Sequence, residues 1–344
     1  MYKIVRLTAP IFHPSAKEVA AYAAAGLPLT IVDAEAPAEM IPQVQDADIV
    51  VLIGTSLPAE VIEAMPRCRA ISRQGTGTDK IAVTRATELG IVVTNTPYFC
   101  VEEQADHAMA MLLSLARKLP VAQNAMAAGD TLRARRAVST NQRLSTTTLG
   151  LVGFGRSAIH TARRARGFGM RVLATRNNKN APTDDADALG VTMTDLETVL
   201  RESDFVSLHL PLNAATYHMI DKIALAKMKP TAILINTSRG ALVDEDALTD
   251  AIQQGRLAGA GIDTYEQIDI FAEQLPPRLH PLTDMENVIL TPHVAAGSVQ
   301  AGEDIYLTGI QNALDILAEY WPLAENVVNP GVAPRFSLKA RPNS

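Results

Sequence analysis

Three short loops carry residue types that could act together on a small anionic carbonyl compound. Residues 236–240 (Asn-Thr-Ser-Arg-Gly) contribute Arg239, residues 263–269 (Asp-Thr-Tyr-Glu-Gln-Ile-Asp) contribute Asp263, Glu266 and Asp269, and residues 291–295 (Thr-Pro-His-Val-Ala) contribute His293. A fixed guanidinium binds a carboxylate as a fork and polarises the neighbouring carbonyl, while an imidazolium donates the proton that accompanies hydride addition. Taken singly, each has a plainer reading: Arg239 could pair with Asp244 at a helix start, and a histidine beside a proline is often structural. The three loops, however, each follow a short apolar run, at 232–235, 259–262 and 288–290. Consecutive parallel strands deliver such loops to one end of a sheet, so the three side chains are expected to converge.

A source of hydride is written into residues 146–178, TTTLGLVGFGRSAIHTARRARGFGMRVLATRNN. Residues 148–152 read as a buried strand, 153–158 as a G-x-G-x-x-A turn, 159–167 as a helix and 171–175 as the next strand. Gly153 permits the tight turn, Gly155 lets backbone amides approach a pyrophosphate, and Ala158 allows close helix–strand packing. The same paired glycines occur at 75–80, but Lys80 stands where close packing needs a small residue, so that stretch is not read as a second cofactor turn. After the second strand, where an acid would accept from the ribose 2′-hydroxyl of NAD, the chain has Thr175, Arg176 and Asn177. A guanidinium there suits the 2′-phosphate of NADP. NADP(H) is the expected cofactor, with NAD(H) open as a second.

Around these loops the chain alternates β-rich and helical stretches. Runs at 3–7, 29–32, 49–53, 70–72 and 91–94 predict one parallel sheet; runs at 148–152, 171–175, 205–208, 232–235, 259–262 and 288–290 predict a second of six strands. Residues 101–119, apolar on most of their circumference, predict one long helix that needs burial on several sides and packs against a second subunit. Residues 129–145 read as less regular, and 329–344 as an arm. The helix at 298–319 falls outside the second sheet's pattern and is expected to return to the first. The fold class is therefore α/β, with two Rossmann-like, doubly wound parallel-sheet domains. A cofactor domain, residues 99–297, is inserted into a discontinuous flavodoxin-like substrate domain, residues 1–98 and 298–344, with the active site at the carboxyl ends of the strands.

At 344 residues with 47% hydrophobic composition, the chain can fill two cores. Its net charge of −6 argues against a nucleic-acid or anionic-membrane partner. Two cysteines, Cys68 and Cys100, make neither a disulfide framework nor a metal quartet, no metal is expected, and no apolar run suggests export or membrane insertion. A cytoplasmic homodimer acting on a small molecule is the expectation.

The chain resembles the D-isomer-specific 2-hydroxyacid dehydrogenase family along nearly its whole length. The resemblance rests on RQGTGTDKI at 73–81, NTPYFCVEEQADHAM at 95–109, GLVGFGRSA at 150–158, LHLPLNAAT at 208–216, INTSRGALVDEDAL at 235–248, AGAGIDTYE at 258–266 and NVILTPHVAAGS at 287–298. It implies that Arg239 binds the carboxylate and carbonyl of a 2-keto or 2-hydroxy acid, that His293 is the acid/base, and that the amides of Thr76 and Gly77 hold the carboxylate. It further implies that Gly153, Gly155, Arg156 and Ser157 cradle the pyrophosphate. His209, Leu210, Pro211 and Thr216 would line the adenine side, and Thr237, Ser238 and Asp263 would contact the nicotinamide end.

One departure touches the chemistry. The family places a glutamate five residues after the aspartate of its third motif, to keep the histidine protonated; here that position is Ile268. A neighbouring carboxylate raises a histidine pKa, so a substitute is needed. Asp269 is the first choice and Glu266 the second. Failing both, the site is slow, substrate-assisted or non-catalytic. Gln104 and Tyr98 stand where the family commonly has apolar or small residues, and a polar lining there suits a hydroxylated substrate such as hydroxypyruvate or 2-ketogluconate. The alternative of another class is a nucleotide-sensing binding protein on the same fold. Oxidation of formate or phosphite is a weaker enzyme alternative, since Thr76 offers no charge to an inorganic anion.

Overall fold

The structure is a computed structural model, and residues 2–8, 12–178, 180–268 and 280–341 are described. The chain divides into two compact units, Met1–Phe99 with Ser298–Ser344, and Cys100–Gly297.

In the first unit the order is β1 (Ile4–Thr8), α1 (Ala16–Ala24), β2 (Leu29–Asp33), α2 (Pro37–Val44), β3 (Ile49–Leu52), α3 (Ala59–Glu63), β4 (Ala70–Arg73), α4 (Val83–Glu88) and β5 (Val92–Thr94). The five strands are parallel in the order β2-β1-β3-β4-β5. Both faces of β1, β3 and β5 are buried, as continuous apolar runs of parallel strands require. The tail, expected to be an arm, is built into this unit through residue 341. Val332 is buried, Phe336 and Leu338 pack on the same cluster, and Arg335 Nη1 donates to the carbonyls of Met65 and Pro66 at 2.8 and 3.0 Å. Its proline and basic content concealed three apolar anchors.

The second unit contains α5 (Val101–Ala116), α6 (Leu119–Ala127), α7 (Thr131–Val138), β6 (Thr148–Val152), α8 (Arg156–Gly167), β7 (Arg171–Thr175), α9 (Asp184–Leu189), β8 (Thr192–Met193), α10 (Leu196–Glu202), β9 (Phe205–Leu208), α11 (Lys222–Lys227), β10 (Ile233–Asn236), α12 (Glu245–Gln253), β11 (Gly259–Ile262) and β12 (Val288–Leu290). Among the described residues its parallel sheet has seven strands rather than six, in the order β12-β11-β10-β9-β6-β7-β8. β8 was missed because two residues are too few to show a period. Leu149, Leu151 and Val152 of β6 are buried, each worth about 1.5–3 kcal/mol of apolar burial. The remaining helix, α13 (Val299–Leu317), returns to the first unit, where Tyr306, Ile310, Ala313 and Ile316 pack beside β1 and β3 residues Ile4 and Val51.

The predicted helix over 101–119 is two helices. Lys118 adopts φ +53°, which ends the run of α5, and its Nζ donates to the Ala137 carbonyl at 3.0 Å, tying the corner to α7. The stretch expected to be irregular folds as α7 because Asp130 caps it, accepting from the Arg133 amide at 2.8 Å. Much of the burial that α5 needs is met inside its own unit: Ala108, Met109, Met111, Leu112 and Leu115 join the cluster that also holds Ala158 and Ala162 of α8.

Candidate functional site

The glycine turn lies between β6 and α8. Gly153 adopts φ +94°, and a Cβ there would overlap the carbonyl of His209. Gly155 faces open space and, having no side chain, leaves the twelve-residue α8 without a side-chain cap. Amides of an uncapped first turn and an open face beside them are what a pyrophosphate requires. Ala158 is fully buried against the sheet.

His209, immediately after β9, supports this turn from below. Its Nδ1 lies 3.0 Å from Ser157 Oγ and its Nε2 3.0 Å from Ser207 Oγ. Burial pushes the imidazole pKa down to about 4, so the ring is neutral. Leu210 also packs near Gly153. Pro211 accepts from Thr216 Oγ1 at 2.7 Å, and that hydroxyl accepts from the Asn213 amide at 2.9 Å, so Thr216 closes its own turn. At the end of β7, Arg176 Nη2 donates to the carbonyls of Ala181 and Pro182 at 2.8 and 2.6 Å. Thr175 is half-buried beside it, and Asn177 is exposed.

The loop after β10 is built on Asn236, a residue the sequence gave no reason to single out. Its Oδ1 accepts from the Ser238 amide at 3.1 Å and its Nδ2 donates to the Arg239 carbonyl at 2.8 Å. Ser238 Oγ donates to the Leu208 carbonyl at 2.6 Å, and Gln104 Nε2 of α5 donates to the Thr237 carbonyl at 2.8 Å. Gly240 is required because any Cβ would overlap the Tyr265–Glu266 backbone. Arg239 Nη1 donates to the Ser238 carbonyl at 2.7 Å. Asp244 accepts from the Ala247 amide at 2.9 Å and so caps α12. Thr237 Oγ1, buried next to Arg239, has no protein partner among the described residues.

His293 follows β12 on an exposed loop at φ +56°, a region that a non-glycine residue holds only under constraint. The constraint is Asp263. Its carboxylate is fully buried and accepts from Thr291 Oγ1 at 2.5 Å, the Val294 amide at 2.9 Å and the Ala295 amide at 3.0 Å. Asp263, assigned by resemblance to the nicotinamide end, also supports the histidine loop.

Ile268 is the last described residue of the carboxylate loop, and Asp269 lies outside the described residues. Glu266 is brought to His218, whose Nε2 lies 2.6 Å from Glu266 Oε2, while Tyr217 stacks on the His218 ring at 4.0 Å. A hydrogen bond with Glu266 also raises the Tyr217 pKa. Residues 48 apart in the chain leave no local signal of this pairing.

In the first unit, Gly75 adopts φ +135° and its amide donates to Thr96 Oγ1 at 2.7 Å. Asn95 Nδ2 donates to the Thr76 carbonyl at 2.8 Å and Arg73 Nε to the Gly77 carbonyl at 3.0 Å. Tyr98 is 36% exposed. Among the described residues no group of three or more His, Cys, Asp or Glu is gathered for a metal, and no helix is long and apolar enough to cross a membrane.

Residues 109–295 match the family described as D-isomer specific 2-hydroxyacid dehydrogenase, NAD binding domain. A glyoxylate reductase of Korarchaeum cryptofilum is 44% identical over 75% of this chain and 76% of its own length. Two solved structures share the fold. An NADPH-dependent glyoxylate/hydroxypyruvate reductase from Sinorhizobium meliloti, in complex with NADP and malonate, superposes with a TM-score of 0.80 at 28% identity, covering 95% of this chain and 98% of that one. A D-lactate dehydrogenase from Aquifex aeolicus, complexed with NAD and lactic acid, gives 0.81 at 27% identity, covering 95% and 99%.

Proposed function

Because the chain belongs to the D-isomer-specific 2-hydroxyacid dehydrogenase family, we propose that it reduces small 2-keto acids of the glyoxylate or hydroxypyruvate type to D-2-hydroxy acids, with NADPH preferred over NADH. The observation that carries this reading is the adjacency of β10, β11 and β12: it sets the Arg239 loop, the buried Asp263 and the His293 loop side by side in the unit with the uncapped glycine turn.

A bound dinucleotide would supply a hydride to C2 of the keto acid. Arg239 holds the substrate carboxylate and faces the carbonyl oxygen, where negative charge grows as the hydride arrives. His293 delivers the proton to that oxygen. Thr76 and Gly77 supply amides to the carboxylate, and Gln104 and Tyr98 give polar lining suited to a hydroxylated substrate. Gly153, Gly155, Arg156 and Ser157 receive the pyrophosphate; His209, Leu210, Pro211 and Thr216 lie on the adenine side. Thr237, Ser238 and Asp263 would serve the nicotinamide end, and the Thr237 hydroxyl, without a partner among the described residues, supports this. Arg176 takes the 2′-phosphate, with Thr175 and Asn177 beside it; the Sinorhizobium structure in complex with NADP supports this and the Aquifex structure with NAD keeps NADH in play. We take the protein to be a cytoplasmic homodimer. The exposed Leu119, Met126 and Leu132 of α6 and α7 support the dimer, and the two free cysteines support a reducing compartment.

A second reading, a nucleotide-sensing protein with little turnover, is favoured by Ile268 alone. Oxidation of NADPH and NADH by purified protein against glyoxylate, pyruvate, hydroxypyruvate and 2-ketogluconate separates the two. Turnover favouring NADPH supports the reductase. Tight NADPH binding without turnover on any keto acid supports the sensor.

A further inference from the structure

Helix α5 touches both loops that carry the proposed chemistry. Gln104 and His107 are three residues apart and so share a helix face. Gln104 reaches the Thr237 carbonyl, two residues before Arg239. His107 Nε2 lies 3.0 Å from Thr291 Oγ1, two residues before His293. The Thr291 hydroxyl has one proton, and its 2.5 Å contact with Asp263 Oδ1 uses it. It can therefore only accept from His107, which makes Nε2 the protonated nitrogen of that ring. A directed series of hydrogen bonds thus runs from α5 through Thr291 to Asp263, whose carboxylate also takes the amides of Val294 and Ala295.

We infer that His107 is a positioning residue for His293, acting through Thr291 and Asp263. The inference rests on the assignment of His293 as the acid/base. His293 sits at φ +56°, a conformation that persists only where surroundings impose it. Without a donor at His107, the Thr291 oxygen keeps only its bond to Asp263, one of the two that fix it, and the histidine loop is held less firmly. The imidazole then samples orientations that miss the carbonyl oxygen. His107 bonds to Thr291 and not to the turn at Gly153, so NADPH affinity is expected to stay near that of the wild type.

The test compares His107→Leu, which removes the donor, with His107→Gln, whose side-chain amide can place a donor near the former Nε2. Full-length protein is assayed for kcat, KM for the keto acid and NADPH affinity. The ring resonance of His293, identified by its loss in His293→Gln, is followed by NMR. His107→Leu is expected to lower kcat about tenfold with NADPH affinity unchanged, and to shift and broaden the His293 ring signal; His107→Gln restores both. Unchanged kcat and ring signal in His107→Leu would overturn the inference. Equal loss of activity, NADPH affinity and thermal stability in both variants would overturn it too, by showing a packing role. If the wild-type protein turns over no keto acid, the reductase reading fails, and the His293 resonance alone decides the positioning role.

Discussion

The amide of Gly153 donates to the carbonyl of Thr175 at 3.0 Å, so the glycine turn and the end of β7 are joined directly. Arg176, proposed above to take the 2′-phosphate, follows that junction, and its guanidinium is held by the carbonyls of Ala181 and Pro182. Arg176→Gln is expected to lower the preference for NADPH over NADH, measured as a ratio of kcat/KM values for the two cofactors, by about ten- to a hundredfold. A ratio that does not move removes Arg176 from cofactor selection.

Asp263 is a buried acceptor with three donors, and Asp263→Asn turns one acceptor into a donor facing donors. This should cost about 1–3 kcal/mol of stability. It should also lower kcat by releasing the His293 loop. Urea unfolding and steady-state kinetics read the two effects separately. A variant as stable and as active as the wild type would show that the loop is held by other means.

His209 gives the protein an acid-sensitive element. Its pKa is pushed down to about 4 from 6.5 by burial, so the unfolded chain binds a proton that the folded chain refuses between those values. Stability is therefore full above pH 6.5, is lost as pH falls through that window, and stops falling through this group below about pH 4. The loss amounts to about 3 kcal/mol. Unfolding free energies from pH 7.5 to pH 4, compared with those of His209→Asn, should show the wild-type slope and a flatter line for the variant.

Asp269 is proposed as the acid that keeps His293 protonated in place of Ile268. Reduction needs the imidazolium, so activity falls as pH rises through the His293 pKa. Asp269→Asn should lower that pKa by about 1–3 units and move the fall in kcat/KM to lower pH. An unchanged profile dismisses Asp269, and the same measurement on Glu266→Gln then examines the second choice.

Apolar runs bounded by turn residues made the strands legible, because parallel strands covered on both faces must be continuous in Val, Ile, Leu and Ala. The turn at 153–158 was legible because only glycine serves at Gly153 and little but alanine at Ala158. Arg239 and His293 stood out for the same reason, each following a recognisable strand. Two-residue β8, the break at Lys118 and the apolar anchors of the tail were not legible, since each is stabilised by groups distant in the chain. The Asp130 cap of α7 was local, but arginine-rich surroundings masked it.

Fold class and the identity of the candidate chemical groups thus follow from local pattern: side-chain periodicity, glycine where a Cβ has no room, and residue type at strand ends. Which partner each group has does not. That Asp263 supports the histidine loop, that Glu266 belongs to His218, that His209 is neutral between two serines and that His107 reaches Thr291 are relations across up to 184 positions. Hydrogen bonds between buried groups depend on distance and direction in space, and only the packed sheet and its helices supply those.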